Sequence, residues 1–485
     1  MTISTTGVPA TRRRRWLALV LLCFVQFMLV LDDTVVSVAL PRIQQDLGFT
    51  RAELPWVVNA YFLAFGGLLL LFGRGADLWG RRRVFLIGVA VFGAASLLCG
   101  VAQEPWQLVA GRFIQGTGAA MASPAALSLI TLLYPEAGER AKALGVWGGI
   151  AGLGGTMGLV ISGTFTDFLD WRWIFWINLP IAGLAVLLLH HVTGESRAGV
   201  RPRLDVRGAV TGTGAVGLLV YGLLRAGETG WNDGVVLGVL TSGVALAAVF
   251  MVNETRVVNP LVPLSFMRSR IRAVANIASL LFSAAFFAMA FLLMIHIQTV
   301  LGYRPFEAAM AYLPFGGGIL VGIWLSARAV IRFGIRWTLV MSFSISALGL
   351  LLLSTVGPET SYLGGLLPGL LITSIGCGLG HPALAVAAVS GTTNEDAGLG
   401  SAILTSGQQI GGAVGLSVLV TVAARHTATA GESVGSQYAA TTGFSIAIAI
   451  AAGLLVVAAV LVAVLLTAER SPVTVESAES ASSRS

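Results

Sequence analysis

Long apolar runs, separated by short polar segments, make up almost all of the chain. Each run is close to the length of about 20 residues that an α-helix needs to cross a bilayer. The fourteen runs lie at Trp16–Leu40, Leu54–Phe72, Val84–Val101, Leu108–Leu133, Ala143–Phe165, Trp173–Val192, Gly208–Leu224, Val235–Val252, Val274–Val300, Ala308–Val330, Trp337–Val356, Leu363–Val389, Leu399–Ala423 and Thr442–Thr467. The pattern therefore predicts an all-α fold class, a polytopic membrane protein with 14 transmembrane helices.

The composition agrees with a membrane protein. Of the 485 residues, 56% are hydrophobic and only 11% are charged, whereas roughly 25% of the residues of a soluble domain are charged. The 60 glycines suit helices that pack closely within lipid.

The basic start of the chain is similar to a signal peptide, but the apolar run that follows has about 25 residues, against 7–15 in a signal peptide. We therefore expect a retained first helix.

The net charge of +7 does not indicate a nucleic-acid partner, because the basic residues lie in short loops between apolar runs. With a cytoplasmic amino terminus, 23 basic residues fall in inward segments and six in outward loops. This excess predicts a plasma-membrane protein with both termini cytoplasmic. Only one of the 30 basic residues is a lysine, a bias typical of a GC-rich, bacterial genome.

The three cysteines lack metal-ligand spacing, so no metal site is expected.

The first apolar run contains two carboxylates, Asp32 and Asp33, and no other charge from Trp16 onwards. Charged groups inside a membrane-length helix are costly and usually functional. The alternative is that the helix ends before them and both carboxylates lie at the membrane interface. The apolar stretch Val35–Leu40 that follows them favours the first interpretation.

Between the second and third runs the chain reads GRGADLWGRRR. The glycines allow a tight turn, and Asp77 is placed either to cap a helix or to pair with an arginine. A basic loop alone indicates only topology, but this order of glycine, aspartate, glycine and arginine is distinctive. It makes Gly73, Asp77, Gly80 and Arg81 candidate functional residues.

This loop resembles the signature loop of the major facilitator superfamily, although Gly75 replaces the usual leucine and Leu78 the usual arginine. Six further stretches resemble its fourteen-helix drug:proton antiporter branch. They are LDDTVVSVALP at Leu31–Pro41, LVAGRFIQGTGAA at Leu108–Ala120, WRWIFWINLP at Trp171–Pro180, RLDVRGA at Arg203–Ala209, QTVLGYRP at Gln298–Pro305 and GSAILTSGQQIGGAVG at Gly400–Gly415.

The resemblance implies two six-helix bundles with two helices inserted between them, and alternating access to a central cavity. The implied division is an amino-terminal bundle at 1–195, the inserted helices at 196–255, a carboxyl-terminal bundle at 256–467 and a disordered cytoplasmic tail at 468–485. By position in the motifs, Asp32 corresponds to the helix-one acid and Arg112 to the helix-four arginine. Asp77 corresponds to the loop aspartate that helps to latch the inward-closed state.

Helix geometry places Asp32 and Arg112 at the same depth. Asp32 lies about 24 Å along the first helix from Trp16, and Arg112 lies roughly 6 Å in from the opposite side. A carboxylate about 4 Å from a guanidinium gains about 4 kcal/mol at an effective dielectric near 20, before desolvation. We expect Asp32 to carry the coupling proton or to meet a cationic substrate, with Arg112 tuning it. The alternative is a static ion pair between two helices.

Asp33 lies about 100° around the helix from Asp32. It is either a cavity-facing substrate contact or an interface residue.

The fifth run is rich in glycine with small residues at four-residue spacing. We expect Gly154, Gly158 and Gly163 to allow close helix packing. The antiporter branch has glycine-proline, two residues and then a glycine pair near the end of this helix. Gly158 and Gly163 match that pattern, whereas Leu159 replaces the proline and Ser162 replaces the first glycine of the pair.

Together these features predict a proton-coupled efflux transporter for small hydrophobic, amphipathic or cationic drugs or antibiotics. The expected partners are the substrate, protons and the lipid bilayer, with the chain acting as a monomer without a cofactor. Nothing resembles a phosphate-binding loop or a hydrolytic site, so the chain is not expected to be an enzyme. Three alternatives stay open: a dedicated exporter of one endogenous metabolite, a proton-linked uptake carrier, and a non-transporting membrane sensor.

Overall fold

The computed structural model describes residues 12–192, 204–392, 397–431 and 435–466, and it contains no β-strand within them. Its helices are α1 Arg12–Leu47, α2 Trp56–Trp79, α3 Arg81–Gly100, α4 Pro105–Leu133, α5 Ala137–Phe168, α6 Trp173–Trp176, α7 Asn178–Val192, α8 Val206–Thr229, α9 Gly234–Arg256, α10 Leu264–Met267, α11 Arg270–Thr299, α12 Pro305–Leu353, α13 Leu367–Ala388, α14 Ala397–Gly431 and α15 Ser436–Leu465. A π-helical turn, Tyr362–Leu366, leads into α13. The predicted tail at 468–485 lies outside the described residues.

The described helices make fourteen crossings. Twelve of the helices are each long and apolar enough to span a bilayer. One of the twelve, α12, supplies two crossings, because Gly334 has a φ of +74° and breaks the helix in two. The remaining crossing is formed by the short helix α6 together with α7, in the run predicted at Trp173–Val192. The predicted all-α membrane architecture is therefore confirmed.

Helix α1 is longer than the sequence predicts. The apolar run ends at Leu40, but the helix passes through Pro41 and continues to Leu47. Asp32 is fully buried. The alternative in which the helix ends before the two carboxylates is therefore wrong.

The inserted helices α8 and α9 pack on each other, and α8 also packs against one helix from each side of the insertion. Thr213 of α8 touches Gly67 of α2, and Thr421 of α14 donates a hydrogen bond to the Leu223 carbonyl of α8 at 2.8 Å. The division into bundles at 195 and 256 stays a prediction. We call α1–α7 the amino-terminal group and α11–α15 the carboxyl-terminal group.

The two groups meet on the side of the membrane opposite to the start of α1, and further in α2 packs against α14, where Ser406 donates to the Gly66 carbonyl. On the side opposite to the start of α1, Gln298 donates to the Val38 carbonyl at 2.9 Å, and Arg304 lies 3.0 Å from the Asp167 carboxylate. The rings of Phe168 and Phe306 also touch there, with centroids 5.7 Å apart.

Towards the amino-terminal side, meaning the side on which α1 begins, several glycines of α5 and α12 face open space. Added Cβ atoms on Gly145 and Gly149 of α5, or on Gly317 of α12, would meet nothing within 4 Å. Thr156 of α5 and Gly316 of α12 lie in close contact. The structure is therefore closed on the opposite side, whereas Gly145 and Gly149 of α5 are unpacked towards the amino-terminal side.

Candidate functional site

Asp32 of α1 and Arg112 of α4 form an ion pair inside the amino-terminal group. Arg112 Nη1 lies 2.5 Å from Asp32 Oδ2, and the side chains are 1% and 0% exposed. The two residues lie 80 positions apart in the chain. Their contact follows from their depth, because α1 and α4 enter from opposite sides and each carries its charged group to the same level.

The guanidinium of Arg112 is fixed by three further contacts. Its Nε donates to the Val57 carbonyl of α2 at 2.9 Å, and its Nη1 also donates to Gln115 Oε1 at 2.8 Å. The ring of Tyr61 lies under it, with the centroid 4.5 Å from Cζ. A planar, forked cation suits this arrangement, since its donors point in several directions at once.

The carboxylate of Asp32 is also satisfied on its second oxygen. Oδ1 accepts hydrogen bonds from Gln115 Nε2 at 2.8 Å and from Asn178 Nδ2 at 2.9 Å. Gln115 Nε2 in turn contacts Ser96 Oγ at 2.8 Å. Helices α1, α3, α4 and α7 thus converge on one buried carboxylate, and three donors satisfy both of its oxygens.

The sequence does not single out Gln115, Asn178 or Ser96. Two of them carry a signal nonetheless. Gln115 follows Arg112 by three positions, which puts both on one face of α4, and Asn178 is the only polar, uncharged residue in WRWIFWINLP. Ser96 is one serine in an apolar run, and nothing in the sequence distinguishes it.

Asp33 lies outside this network. It is half-buried, and its Oδ1 is covered by protein without a hydrogen-bond partner. No ion pair to it is present among the described residues. The two adjacent carboxylates therefore differ in kind, because Asp32 is enclosed and fully hydrogen-bonded whereas Asp33 has free acceptor capacity.

The signature loop forms a tight turn closed by its own ion pair. Asp77 Oδ1 accepts from Arg81 Nε at 2.8 Å and lies 2.7 Å from Arg81 Nη2. Gly80 has a φ of +107°, which a residue with a Cβ rarely adopts. Gly73 packs against Pro124 of α4. Of the two roles predicted for Asp77 the structure shows the arginine pair, since α3 has no side-chain cap.

The glycines of α5 lie at two different contacts. A Cβ on Gly154 would lie 3.1 Å from the Phe27 carbonyl of α1, and one on Gly158 would overlap Thr34 Oγ1. A Cβ on Gly163 would instead lie 2.6 Å from the Cβ of Ala309 in α12. Gly154 and Gly158 thus bring α5 close to α1, and Gly163 brings the two groups together.

The residues that depart from the antiporter pattern take part in the α1–α5 contact. Ser162 Oγ donates a hydrogen bond to the Val35 carbonyl of α1. Leu159 is buried, with 8% of its surface exposed. A serine in place of glycine adds a bond between the helices, and a leucine in place of proline leaves the helical backbone of α5 intact.

Comparison with known proteins gives concordant matches over most of the chain. A family model described as Major Facilitator Superfamily matches residues 22–416. The puromycin resistance protein of Streptomyces alboniger is 40% identical over 462 residues, covering 93% of this chain and 92% of that protein. The cephamycin export protein CmcT of Amycolatopsis lactamdurans is 38% identical, covering 90% of each. The lincomycin resistance protein of Streptomyces lincolnensis is 35% identical, covering 85% of each.

Solved structures show the same fold at low sequence identity. A bacterial homologue of the human lysosomal transporter Spinster, in an inward-facing and unoccupied conformation, has a TM-score of 0.66 at 16% identity. The match covers 94% of this chain and 97% of that one. A POT family transporter in complex with a thioalcohol-conjugated peptide has a TM-score of 0.67 at 17% identity, covering 92% and 95%.

Proposed function

The chain belongs to the Major Facilitator Superfamily, and on that premise we propose that it exports small antibiotics or related drugs in exchange for protons. The names of the relatives, which include resistance and export proteins for puromycin, cephamycin and lincomycin, support the class of substrate. The observation that carries proton coupling is the enclosed Asp32, a titratable group held by Arg112 at the junction of several helices.

We propose that the amino-terminal side faces the cytoplasm and that the membrane is the bacterial plasma membrane. The excess of 23 basic residues over six supports this orientation. With this orientation the closed side faces the outside, which suits a form that takes up a drug from the cytoplasm for export.

The proposed cycle uses the charge of Asp32. In the form described here Asp32 is paired with Arg112, and we assign this form to the stage after Asp32 has released its proton inward. A proton that arrives from outside in the other form neutralises Asp32 and removes its attraction for Arg112, which loosens the tie between α1 and α4. One proton that crosses about 100 mV releases roughly 2.3 kcal/mol, enough for about a fifty-fold gradient of a neutral drug.

Asp33 has a separate role in this proposal. Its side chain is partly exposed next to the ion pair but outside it, and no described cation pairs with it, which suits contact with the cationic part of a substrate. The sequence predicts that Asp33 is either a substrate contact or an interface residue. Its partial burial beside Asp32 supports the role of substrate contact.

Inside-out membrane vesicles test the direction and the coupling together. We expect vesicles that contain the protein to accumulate a fluorescent cationic drug while a proton gradient is present, and to lose it when a protonophore is added. Uptake that persists without a gradient would contradict proton coupling. Uptake by right-side-out vesicles instead would indicate an uptake carrier, and no flux in either would indicate a sensor.

A second candidate is a dedicated exporter of a single compound. It is favoured by the relatives that are each named for one antibiotic. Expression in a host that lacks its own pumps separates the two. Resistance to several unrelated drugs would indicate a broad pump, and resistance to one would indicate a dedicated exporter.

We also propose that the chain works as a monomer and has no enzymatic activity. A chain of 50.4 kDa that encloses its own site needs no second copy to complete it. Light scattering of the purified protein, corrected for detergent, tests this, and a dimer mass would contradict it.

A further inference from the structure

Three arginines of α12, Arg328, Arg332 and Arg336, lie where the helix reaches the amino-terminal side and bends at Gly334. Each of them is next to an aromatic ring. The guanidinium carbon of Arg328 lies 3.5 Å from the ring centre of Trp324. The guanidinium carbon of Arg336 lies 5.0 Å from the ring centre of Trp337. Such stacking orients a guanidinium without neutralising its charge.

Two of these arginines have no ion-pair partner within residues 12–192, 204–392, 397–431 and 435–466. No carboxylate of the described residues pairs with Arg328 or Arg332. The acidic residue of α12 is Glu307, which lies at the other end of the helix. Both arginines are exposed, so an anion can approach them from outside the protein.

The same face of α12 is apolar immediately above the arginines. Trp324, Arg328 and Arg332 follow one another at four-residue spacing and so lie on one helix face. Leu320 is 55% exposed and Trp324 is 60% exposed. An exposed apolar stripe thus leads directly to two exposed arginines that pair with no described carboxylate.

We propose that this face of α12, made of Leu320, Trp324, Arg328 and Arg332, is a binding site for an anionic phospholipid. The phosphate lies between Arg328 and Arg332, and one acyl chain lies along Leu320 and Trp324. The apolar stripe favours a lipid over a free phosphate ion, because only a lipid covers both parts. Basic clusters at the cytoplasmic ends of membrane helices attract anionic headgroups in general, but here the aromatic ring and the stripe define one position. The inference is independent of the transported drug.

Native mass spectrometry of the purified full-length chain tests the site, with phosphatidylglycerol and phosphatidylcholine of equal acyl length as probes. We expect the wild type to bind phosphatidylglycerol more tightly than phosphatidylcholine. The double variant Arg328→Gln, Arg332→Gln should bind phosphatidylglycerol about 25-fold more weakly. The matched control is Arg268→Gln, Arg270→Gln, which removes two exposed arginines on the same side of the membrane, and it should bind like the wild type.

Three results would overturn the proposal. One is unchanged phosphatidylglycerol affinity in the Arg328, Arg332 variant, and another is an equal loss in the control, which would indicate net charge alone. The third is displacement of the lipid by inorganic phosphate at equal concentration, which would indicate a free-anion site. A Trp324→Leu variant adds a further check, because it keeps both charges and should still weaken binding.

Discussion

The side chain of Arg112 is enclosed by groups from three helices, and its charge is balanced by one carboxylate. Its contacts with Val57, Gln115 and Asp32 leave it 1% exposed. A buried ion pair of this kind adds little net stability compared with an apolar pair, but removal of one partner leaves an uncompensated charge. The pair therefore makes the protein sensitive to single substitutions, whether its role is a static tie or a proton switch.

Substitution of Arg112 by glutamine should destabilise the protein by about 3–5 kcal/mol, because Asp32 is then left charged and unpaired. The double variant Asp32→Asn, Arg112→Gln should regain much of that stability, since neither charge remains. Thermal unfolding of the purified proteins in the same detergent measures both effects. Strictly additive losses in the two single variants and the double variant would show that the two residues do not interact.

The carboxylate of Asp33 has no ion-pair partner among the described residues. We therefore expect Asp33→Asn to lower the transport of cationic drugs at least about tenfold, the effect of losing about 1.4 kcal/mol of charge interaction. Transport of a neutral drug should stay near the wild-type rate. Paired flux measurements with one cationic and one neutral drug provide the check. Equal losses for both drugs would place Asp33 in coupling rather than in substrate binding.

At the scale of the helix, α5 has two surfaces with different tolerance for added atoms. Gly163 faces α12 at van der Waals distance, with the Pro305 carbonyl 3.0 Å from where its Cβ would lie. Gly149 faces open space. The same glycine-rich helix is therefore tightly packed near one side of the membrane and free near the other.

Gly163→Ala should force α5 and α12 apart on the closed side, at a cost of about 1–3 kcal/mol, and lower transport. Gly149→Ala is the matched control and should be neutral or stabilising by up to about 1 kcal/mol, because alanine favours the helix. Melting temperature and drug flux of both variants check this. Identical behaviour would mean that the contact at Gly163 has no part in closing that side.

The hydrophobic pattern predicts the helices well because each crossing must satisfy its backbone groups internally. It predicts their ends less well. Leu40 ends the apolar run of α1, but neighbouring helices support a further stretch to Leu47. The turn at Gly334 depends on one positive φ angle, which apolar spacing does not encode.

The site could be predicted in part. The sequence predicts the pairing of Asp32 with Arg112, because the depth of each residue in the membrane follows from the rise per residue of its helix. Gln115 and Asn178 complete the site through side-chain hydrogen bonds, which depend on how α4 and α7 are rotated against α1. Such rotations are set by packing across the bundle, and one sequence does not encode them in a readable pattern.

At the scale of the whole molecule, the closed side must open for the drug to leave. Phe168 and Phe306 touch across that closure, and Phe168 is 62% exposed. A reducible cross-linker that joins cysteines at these two positions should stop transport, and a reductant should restore it. The three native cysteines are buried and should not react. Full transport by the cross-linked protein would show that this closure does not open during export.

Drug accumulation by proteoliposomes with an imposed pH gradient tests the central claim, that Asp32 couples export to proton flow. We expect the wild type to concentrate a fluorescent cationic drug in liposomes that are acidic inside, and to do so only while the gradient lasts. Asp32→Asn, shown to be folded by gel filtration, should fail to concentrate it. Accumulation by Asp32→Asn at the wild-type level, or by the wild type without a gradient, would contradict the account.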